Sequence, residues 1–387
     1  MNGMAVRETK VSRLNIAAAL KHLDWVLFFA TVPLVSAGLI TVNSFMSENV
    51  LFEKQLIWAA LAFLVFFTFS VIDFRFMRRT GVIVVLFTTS VLLLLALFVL
   101  GSTVNGARSW FDFGSFAFQP SDPVKLVMIL LLAKYFSKRH VEIAHIRHIL
   151  ISGAYAAVLF LLIFLEPDFG SAVIVGLLWF GMVLVSGISK KHLLAVLLVG
   201  ALVGAFLWSF VLQDYQKARI FTFINPLTDI QGAGYNVYQS TIAVGSGELL
   251  GKGVGYGTQS RLRFLPEYET DFIFAAFAEE WGFIGVLLLF ASFAVLLWRV
   301  LANAMRGATN FETLYGIGLA VLFMSHFVIH VGMNVGLLPV TGITMPFLSY
   351  GGSHLITEFA GLGILMGMRR YRRAAHRDAL KNEFVGV

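Results

Sequence analysis

The sequence predicts an all-α polytopic membrane protein: ten transmembrane helices, both termini in the cytoplasm, and one long extracytoplasmic loop between helices seven and eight. Three observations carry that prediction. Of 387 residues, 58% are hydrophobic and only 13% charged, with a mean hydropathy of +0.82, whereas soluble domains carry about 25% charged residues. No water-soluble fold could bury that much apolar surface, so the solvent is lipid. Second, runs long enough for a bilayer core, about 20 apolar residues each, recur along the whole chain. Third, Lys and Arg fall in short clusters between those runs. That clustering excludes a nucleic-acid partner despite the net charge of +7. The chain has no cysteine, which removes disulfides, thiolate metal sites and Cys nucleophiles. Its 38 Phe and 35 Gly suit helices that pack closely in a bilayer.

The runs are 25–43, 55–72, 81–100, 122–137, 148–165, 170–187, 191–212, 272–298, 313–334 and 354–368. The first follows a basic N-terminal tail (1–24) and contains Val35-Ser36-Ala37, which looks like a cleavage site. Further spans follow at once, so it reads as an uncleaved first helix. Glu166-Pro167-Asp168 is a tight polar turn that divides the fifth run from the sixth. The fourth and tenth runs are short. The basic tail at 369–387 reads as a topology anchor on anionic lipid. Together, 1–387 form a single integral membrane domain.

With both termini inside, the cytoplasmic segments hold roughly 21 of the 29 Lys and Arg and the outer segments roughly 7, most of these in one long loop that the positive-inside rule discounts. Two outer connections stand apart. One, at about 101–121, links the third and fourth spans. The other, 213–271, is the single long connection, and a loop of that length in a compact bundle is usually functional. It is rich in Gly, Gln, Asn, Ser and aromatics, which suits a segment folded back onto the bundle.

Within that loop, Gly245 to Gly253 resembles a phosphate-binding P-loop. The match fails, because Ser246 stands where the first Gly belongs and Gly253 replaces the Ser or Thr that would hold magnesium. Ionisable groups inside apolar spans are functional candidates by default. Asp122 and Lys125, spaced i, i+3, share a helical face and form a candidate structural ion pair. Glu279, Glu280, His326, His330 and Glu358 fit either a proton relay or packing against interior polar groups. His326 and His330 lack the H-E-x-x-H context of a zinc site.

The sharpest cluster is Glu267, Glu269 and Asp271 at the outer mouth of the eighth span. In an extended strand the three would share one side. Their repulsion would raise at least one pKa toward the range of a general base. The plainer alternative is that Thr270 or Asp271 caps the helix.

Several blocks together resemble the SEDS family (shape, elongation, division and sporulation). They include Asn105-Gly106-Ala107-Arg108 with Trp110, Gln119-Pro120-Ser121-Asp122 with Lys125, and Pro167-Asp168-Phe169-Gly170. Arg219 with Asn225-Pro226, Gly234-Tyr235 with Gln239-Ser240, and Gly257-Thr258-Gln259 continue the series. Leu265-Pro266-Glu267, Thr270-Asp271-Phe272-Ile273-Phe274, Gly336-Leu337-Leu338-Pro339-Val340-Thr341-Gly342 and Pro346-Phe347-Leu348-Ser349-Tyr350-Gly351-Gly352 complete it, in order over nearly the whole chain. Leu338 to Gly342 favours the elongation branch over the division branch. Departures are Glu269 where His is common, Asp122 for Glu, Ser109 for a second Arg, Glu166 for Gln and His354 for Ser.

The resemblance implies a peptidoglycan glycosyltransferase of cell elongation in the bacterial cytoplasmic membrane. Such an enzyme polymerises lipid II into β-1,4 glycan strands on the outer face, beside a class B penicillin-binding protein and other elongation-complex membrane proteins. It implies Asp271 as the essential aspartate, read here as the general base. Arg108, Trp110, Lys125, Arg219, Glu267 and Gln259 are the candidates for pyrophosphate or sugar, with Arg261 and Arg263 as further cations. Glu267, Glu269 and Asp271 are the candidate ligands for a magnesium or manganese ion. Composition alone fits one rival equally well, a lipid II flippase; a third reading is a non-catalytic scaffold for the penicillin-binding protein.

Overall fold

In the computed structural model, the residues described are 23–44, 50–104, 107–114, 116–138, 146–212, 214–224, 234–262 and 264–370. The N-terminal and C-terminal tails of the sequence analysis therefore lie almost wholly outside them, as do Asn105, Gly106, Asn225, Pro226 and Arg263. The chain is mostly helical. It runs through α1 (Trp25–Ser44), α2 (Val50–Val71), a 3-10 turn (Phe74–Arg78) and α3 (Thr80–Leu100), then α4 (Ser121–Ser137), α5 (Ile146–Leu165), α6 (Phe169–Val185) and α7 (Lys190–Phe206). The segment expected as a long loop holds α8 (Asp214–Ile224), α9 (Tyr235–Ser246) and the single turn α10 (Thr258–Arg261). The chain then continues as α11 (Ile273–Ala304), α12 (Asn310–Asn334) and α13 (Gly352–Arg370). A helix falls on each of the ten apolar runs. Among the described residues, seven helices are long and apolar enough to cross a membrane.

The helices are apolar nearly all round, as expected when lipid and protein interior are both apolar. Burial rather than hydropathy therefore separates them. α4, α12 and α13 are buried along most of their length, whereas α7 buries no residue. α13 packs along α2, α1 along α11, α11 along α12 and α5 along α6. One end of the bundle is tied by Asp24, which caps α1 through the Leu27 N–H at 3.2 Å. The Asp24 carboxylate also accepts from Asn303 at 2.7 Å, and from Arg299 at 3.0 Å through Nε.

Two features depart from expectation. The connection after α3 folds as a small antiparallel sheet, with β1 (Ser102–Val104) on β2 (Ala107–Asp112) and β2 on β3 (Ala117–Phe118). The expected eighth span, 272–298, lies within a helix broken at Gly282 (φ 64°, ψ −169°), a conformation open essentially to glycine alone. The break frees backbone groups, and the turn 247–253 takes them up. Phe283 and Ile284 N–H donate to the Glu248 and Leu249 carbonyls at 2.9 and 3.1 Å, and Lys252 and Gly253 N–H donate to the Glu279 and Glu280 carbonyls at 2.9 and 3.0 Å. The P-loop look-alike is therefore a plug for a broken helix.

The two carboxylates before the break serve the same joint. Glu279, wholly buried, accepts from Lys252 Nζ at 2.7 Å, Thr258 N at 2.8 Å and Gln259 N at 3.1 Å. Glu280 accepts from Gly255 N at 2.5 Å. Glu279 thus caps α10 and holds Lys252 of the plug, and Glu280 holds the chain between them, the packing alternative for this pair rather than a relay.

A methyl group at Gly282 would sit 2.2 Å from the Gly251 nitrogen. Gly282→Ala is expected to lower unfolding stability by roughly 2–5 kcal/mol. Gly200→Ala, with open space around it, should be neutral or stabilising by up to about 1 kcal/mol. Thermal unfolding of both variants in one detergent checks the pair, and equal midpoints would mean that the joint carries no strain.

Candidate active site

At the end of the bundle that carries the small sheet, a cavity of about 930 Å³ opens between α4, α6, α12, α13 and the turn before α11. Its size falls within the range of small-ligand sites, roughly 300–1,000 Å³. Trp110, Asp122, Lys125, Asp168, Glu267 and Asp271 all line it.

The floor is ionic. Lys125 Nζ lies 3.2 Å from Asp122 Oδ1, and both side chains are almost fully buried. The i, i+3 pairing expected from sequence is present. The same oxygen lies 3.3 Å from His354 Nδ1, and His354 Nε2 lies 3.0 Å from Glu358 Oε1. The His326 ring stacks beside His354, with centroids 4.9 Å apart. Glu358 also accepts the Phe347 N–H at 2.9 Å. Above this floor, Gln119 donates to Asp168 Oδ2 at 2.9 Å, while Asp168 Oδ1 caps α6 through the Ser171 N–H at 2.9 Å.

The wall opposite is an irregular loop, residues 335–351, threaded between helices. A buried loop must satisfy its backbone groups within the protein, and polar side chains from two helices do so. Gln55 of α2 donates to the Ser349 carbonyl at 3.3 Å and accepts the Gly351 N–H at 3.2 Å. On α12, His326 Nδ1 donates to the Thr344 carbonyl at 3.2 Å and His330 Nδ1 to the Ile343 carbonyl at 2.6 Å. Since a carbonyl only accepts, each Nδ1 carries the proton. The two histidines clamp the loop.

One turn further along α12 sits Asn334, fully buried, which sequence reasoning missed. Its amide donates to the Asp271 carbonyl at 3.0 Å and the His330 carbonyl at 2.8 Å, and it accepts the Ala275 N–H at 3.1 Å. The Asn334 carbonyl accepts from Ser240 Oγ of α9 at 2.7 Å. The i, i+4, i+8 spacing of His326, His330 and Asn334 puts all three on one helical face, and that spacing is the signal by which Asn334 could have been found.

The acidic cluster is not the expected strand. The Glu267 carbonyl accepts from the N–H groups of Thr270, Asp271 and Phe272 at 3.2, 3.0 and 3.2 Å, and Glu267 itself has φ 50°. This compact turn takes alternate residues off a common side. Glu267 and Asp271 face the cavity, whereas the Glu269 carbonyl is tied to the Tyr350 N–H at 2.8 Å. Among the described residues, no three His, Asp or Glu converge to hold a metal ion. Gly342, at φ 71°, lets the loop backbone pass Asp271 closely: a methyl group there would lie 3.6 Å from Asp271 Oδ2.

Of the expected cations, Lys125 alone among the described residues lines the cavity. Arg108 and Arg261 are exposed away from it. Arg219 lies on α8, and its side chain is not among those described. Gln259 also lies off the cavity, its N–H spent on Glu279. Trp110 lines the cavity, its backbone held by Ser102 Oγ at 3.0 Å.

Matches to known proteins place the chain in a family. The profile of the cell cycle protein family of FtsW, RodA and SpoVE matches residues 18–374. The peptidoglycan glycosyltransferase MrdB of Escherichia coli K12 is 39% identical over 289 residues, 74% of this chain and 78% of its own. Among solved structures, a peptidoglycan synthase complex described as coordinating polymerization and crosslinking contains a chain of 31% identity with a TM-score of 0.77, covering 90% of this chain and 98% of that one. The rod shape determining protein RodA of Thermus thermophilus aligns at 30% identity and TM-score 0.68, over 90% and 97% of the two chains. Fold and site thus define an integral membrane protein of the glycosyltransferase class. The chain belongs to the SEDS family, the family of FtsW, RodA and SpoVE, with RodA-type proteins among its relatives.

Beside the cavity, Glu166 is 1% exposed and neither carboxyl oxygen has a partner. Burial, and then the charge of Asp168, raise its pKa from the ordinary 4.5 to about 8. A carboxyl with a raised folded pKa contributes stability that is fully present below the unfolded value and is lost as pH rises toward the folded one. Glu166→Gln mimics the neutral form. Its gain over wild type should therefore be small near pH 5 and reach on the order of a few kcal/mol near pH 8.5. Unfolding midpoints at both pH values check this, and a gap that does not widen with pH would refute it.

Proposed function

We infer that this peptidoglycan glycosyltransferase polymerises lipid II during cell elongation with Asp271 as its general base. The observation that carries the reading is that the Asp271 carboxylate and the Lys125 ammonium line one cavity. Glycan extension needs both a base and a cation. The acceptor sugar's 4-hydroxyl gives its proton to Asp271 as its oxygen bonds the anomeric carbon. The bond from that carbon to the lipid pyrophosphate breaks, and the configuration inverts. A base must come within hydrogen-bond reach of the hydroxyl, and the Asn334 amide and the Glu267 turn hold the backbone of Asp271 in place for it. Charge developing on the pyrophosphate meets Lys125, a point charge suited to phosphate. Asp122, sharing one carboxylate oxygen between Lys125 and His354, fixes where that charge sits. Trp110 offers a ring face for a sugar.

Glu267 and Asp271 are the carboxylates that would meet a magnesium or manganese ion arriving with the pyrophosphate. Among the described residues no three carboxylates converge on such an ion, and no step above depends on one.

The reading places ten helices across the bacterial cytoplasmic membrane with both termini inside, so that the cavity opens on the outer face. The distribution of Lys and Arg supports that orientation. A class B penicillin-binding protein is the proposed partner that crosslinks the strands.

The test is polymerisation of labelled lipid II by purified protein, with and without the penicillin-binding partner and with magnesium or EDTA. Asp271→Asn, folding as wild type does, should lose about 10²- to 10⁴-fold in rate. Lys125→Met should fail to polymerise at ordinary substrate concentrations. Equal polymer from wild type and Asp271→Asn would remove that carboxylate from the chemistry. No polymer from wild type even beside its partner would instead favour lipid transport.

A further inference from the structure

The plug that closes the broken helix also carries exposed apolar side chains. Leu249 and Leu250 are 67% and 78% exposed, at the tip of the turn whose backbone bonds to Phe283 and Ile284. Phe283, Ile284, Leu287 and Leu288 of α11 are themselves 48–65% exposed. The two leucines therefore continue the apolar flank that α11 turns outward.

The depth of this patch can be measured along two helices. Arg299, tied to Asp24, marks the charged end of α11. Ile284 lies fifteen residues from it, about 22 Å at 1.5 Å per residue. On α1, Ser44 lies twenty residues from Asp24, about 30 Å by the same rise. The Ser44 carbonyl lies against Gly255, whose N–H donates to the Glu280 carboxylate. Both helices give the same answer. Glu280 and Gly255 stand near the far boundary of a hydrocarbon core about 30 Å thick, and the tip of the plug lies several ångströms inside it.

We propose that the turn Glu248–Gly251 is a hydrophobic wedge that inserts Leu249 and Leu250 into the acyl chains of the outer leaflet beside α11. Irregular backbone at that depth requires every polar group to be satisfied by protein. The four backbone bonds across the Gly282 break meet this for the Glu248 and Leu249 carbonyls and the Lys252 and Gly253 N–H groups, and Glu279 with Lys252 closes the polar side of the joint. The wedge fixes the height of the segment that follows. That segment packs Leu265, Tyr268 and Phe272 against Ala243 of α9 and leads into Asp271. The inference rests on the membrane fold and the proposed orientation, and holds whatever the cavity catalyses.

The absence of native cysteine makes the test clean. Leu250→Cys and, separately, Leu249→Cys are introduced into the full chain, purified alone and reconstituted in phosphatidylglycerol–phosphatidylcholine vesicles. Leu288→Cys serves as the lipid-facing standard and Asp112→Cys as the exposed polar standard. A water-soluble maleimide should label the two plug positions about tenfold more slowly than Asp112→Cys. An environment-sensitive fluorophore at position 250 should be quenched by lipids spin-labelled high on the acyl chain, as at 288. Labelling as fast as Asp112→Cys, with no quenching by spin-labelled lipid, would overturn the proposal and mark the patch as exposed to water. No other protein is present in the vesicles, so shielding by a protein partner cannot imitate the expected result.

Discussion

The polar face of α12 is the constraint on which the rest of the site depends. The cavity in this bundle is walled partly by irregular chain, the loop 335–351 and the turn before α11. Irregular chain in that setting survives only if its backbone groups find partners. His326, His330 and Asn334 provide them in sequence along one helix. The first two take carbonyls of the loop 335–351, and the third takes the carbonyl of Asp271. One helix thus sets the position of two separate walls. A change in its rotation or height would move the carboxylate and the loop together.

Buried charge is divided between two tasks. At the cavity floor, Asp122, Lys125, His354 and Glu358 form a compact set in which each ionic group has an opposite neighbour. Unpaired charges there would be strongly disfavoured. At the Gly282 break, Glu279 and Glu280 bind N–H groups of the plug and have no part in the cavity. The two sets look alike in a sequence, as carboxylates within apolar runs. Their surroundings separate them, since one faces open volume and the other holds the chain around the broken helix.

What could be read without coordinates follows from that distinction. Hydropathy located all the long helices, because a long apolar run in a chain this poor in charge has no other stable form in lipid. The Asp122–Lys125 pair was legible because helical spacing is rigid. Reasoning from spacing failed where the local structure was misjudged. Glu267, Glu269 and Asp271 lie in a turn rather than a strand, so alternate positions diverge. The break at Gly282 was invisible, since a glycine in an apolar run reads as ordinary helix packing. Gln259 and Arg108 sit in motif blocks yet face away from the cavity, because motif membership does not distinguish a residue that builds the scaffold from one that lines the site. Asn334 passed unnoticed for the opposite reason: as an uncharged amide near a helix end, it draws attention only once its face is aligned with the two histidines.

The broken helix also sets an order of assembly. From Phe283 to Ala304, α11 has enough unbroken apolar turns to enter a bilayer by itself. The preceding two turns, with two carboxylates and severed backbone bonds, cannot be stable in lipid until the turn 247–253 docks against them. That turn is synthesised earlier and must wait for its seat. Insertion of this part of the chain therefore proceeds in two stages: a span is threaded first, and the outer segment is then seated on it. The Asp271 turn takes its final place only in the second stage. A nascent chain arrested between the two would be embedded in the membrane and still lack one wall of its cavity.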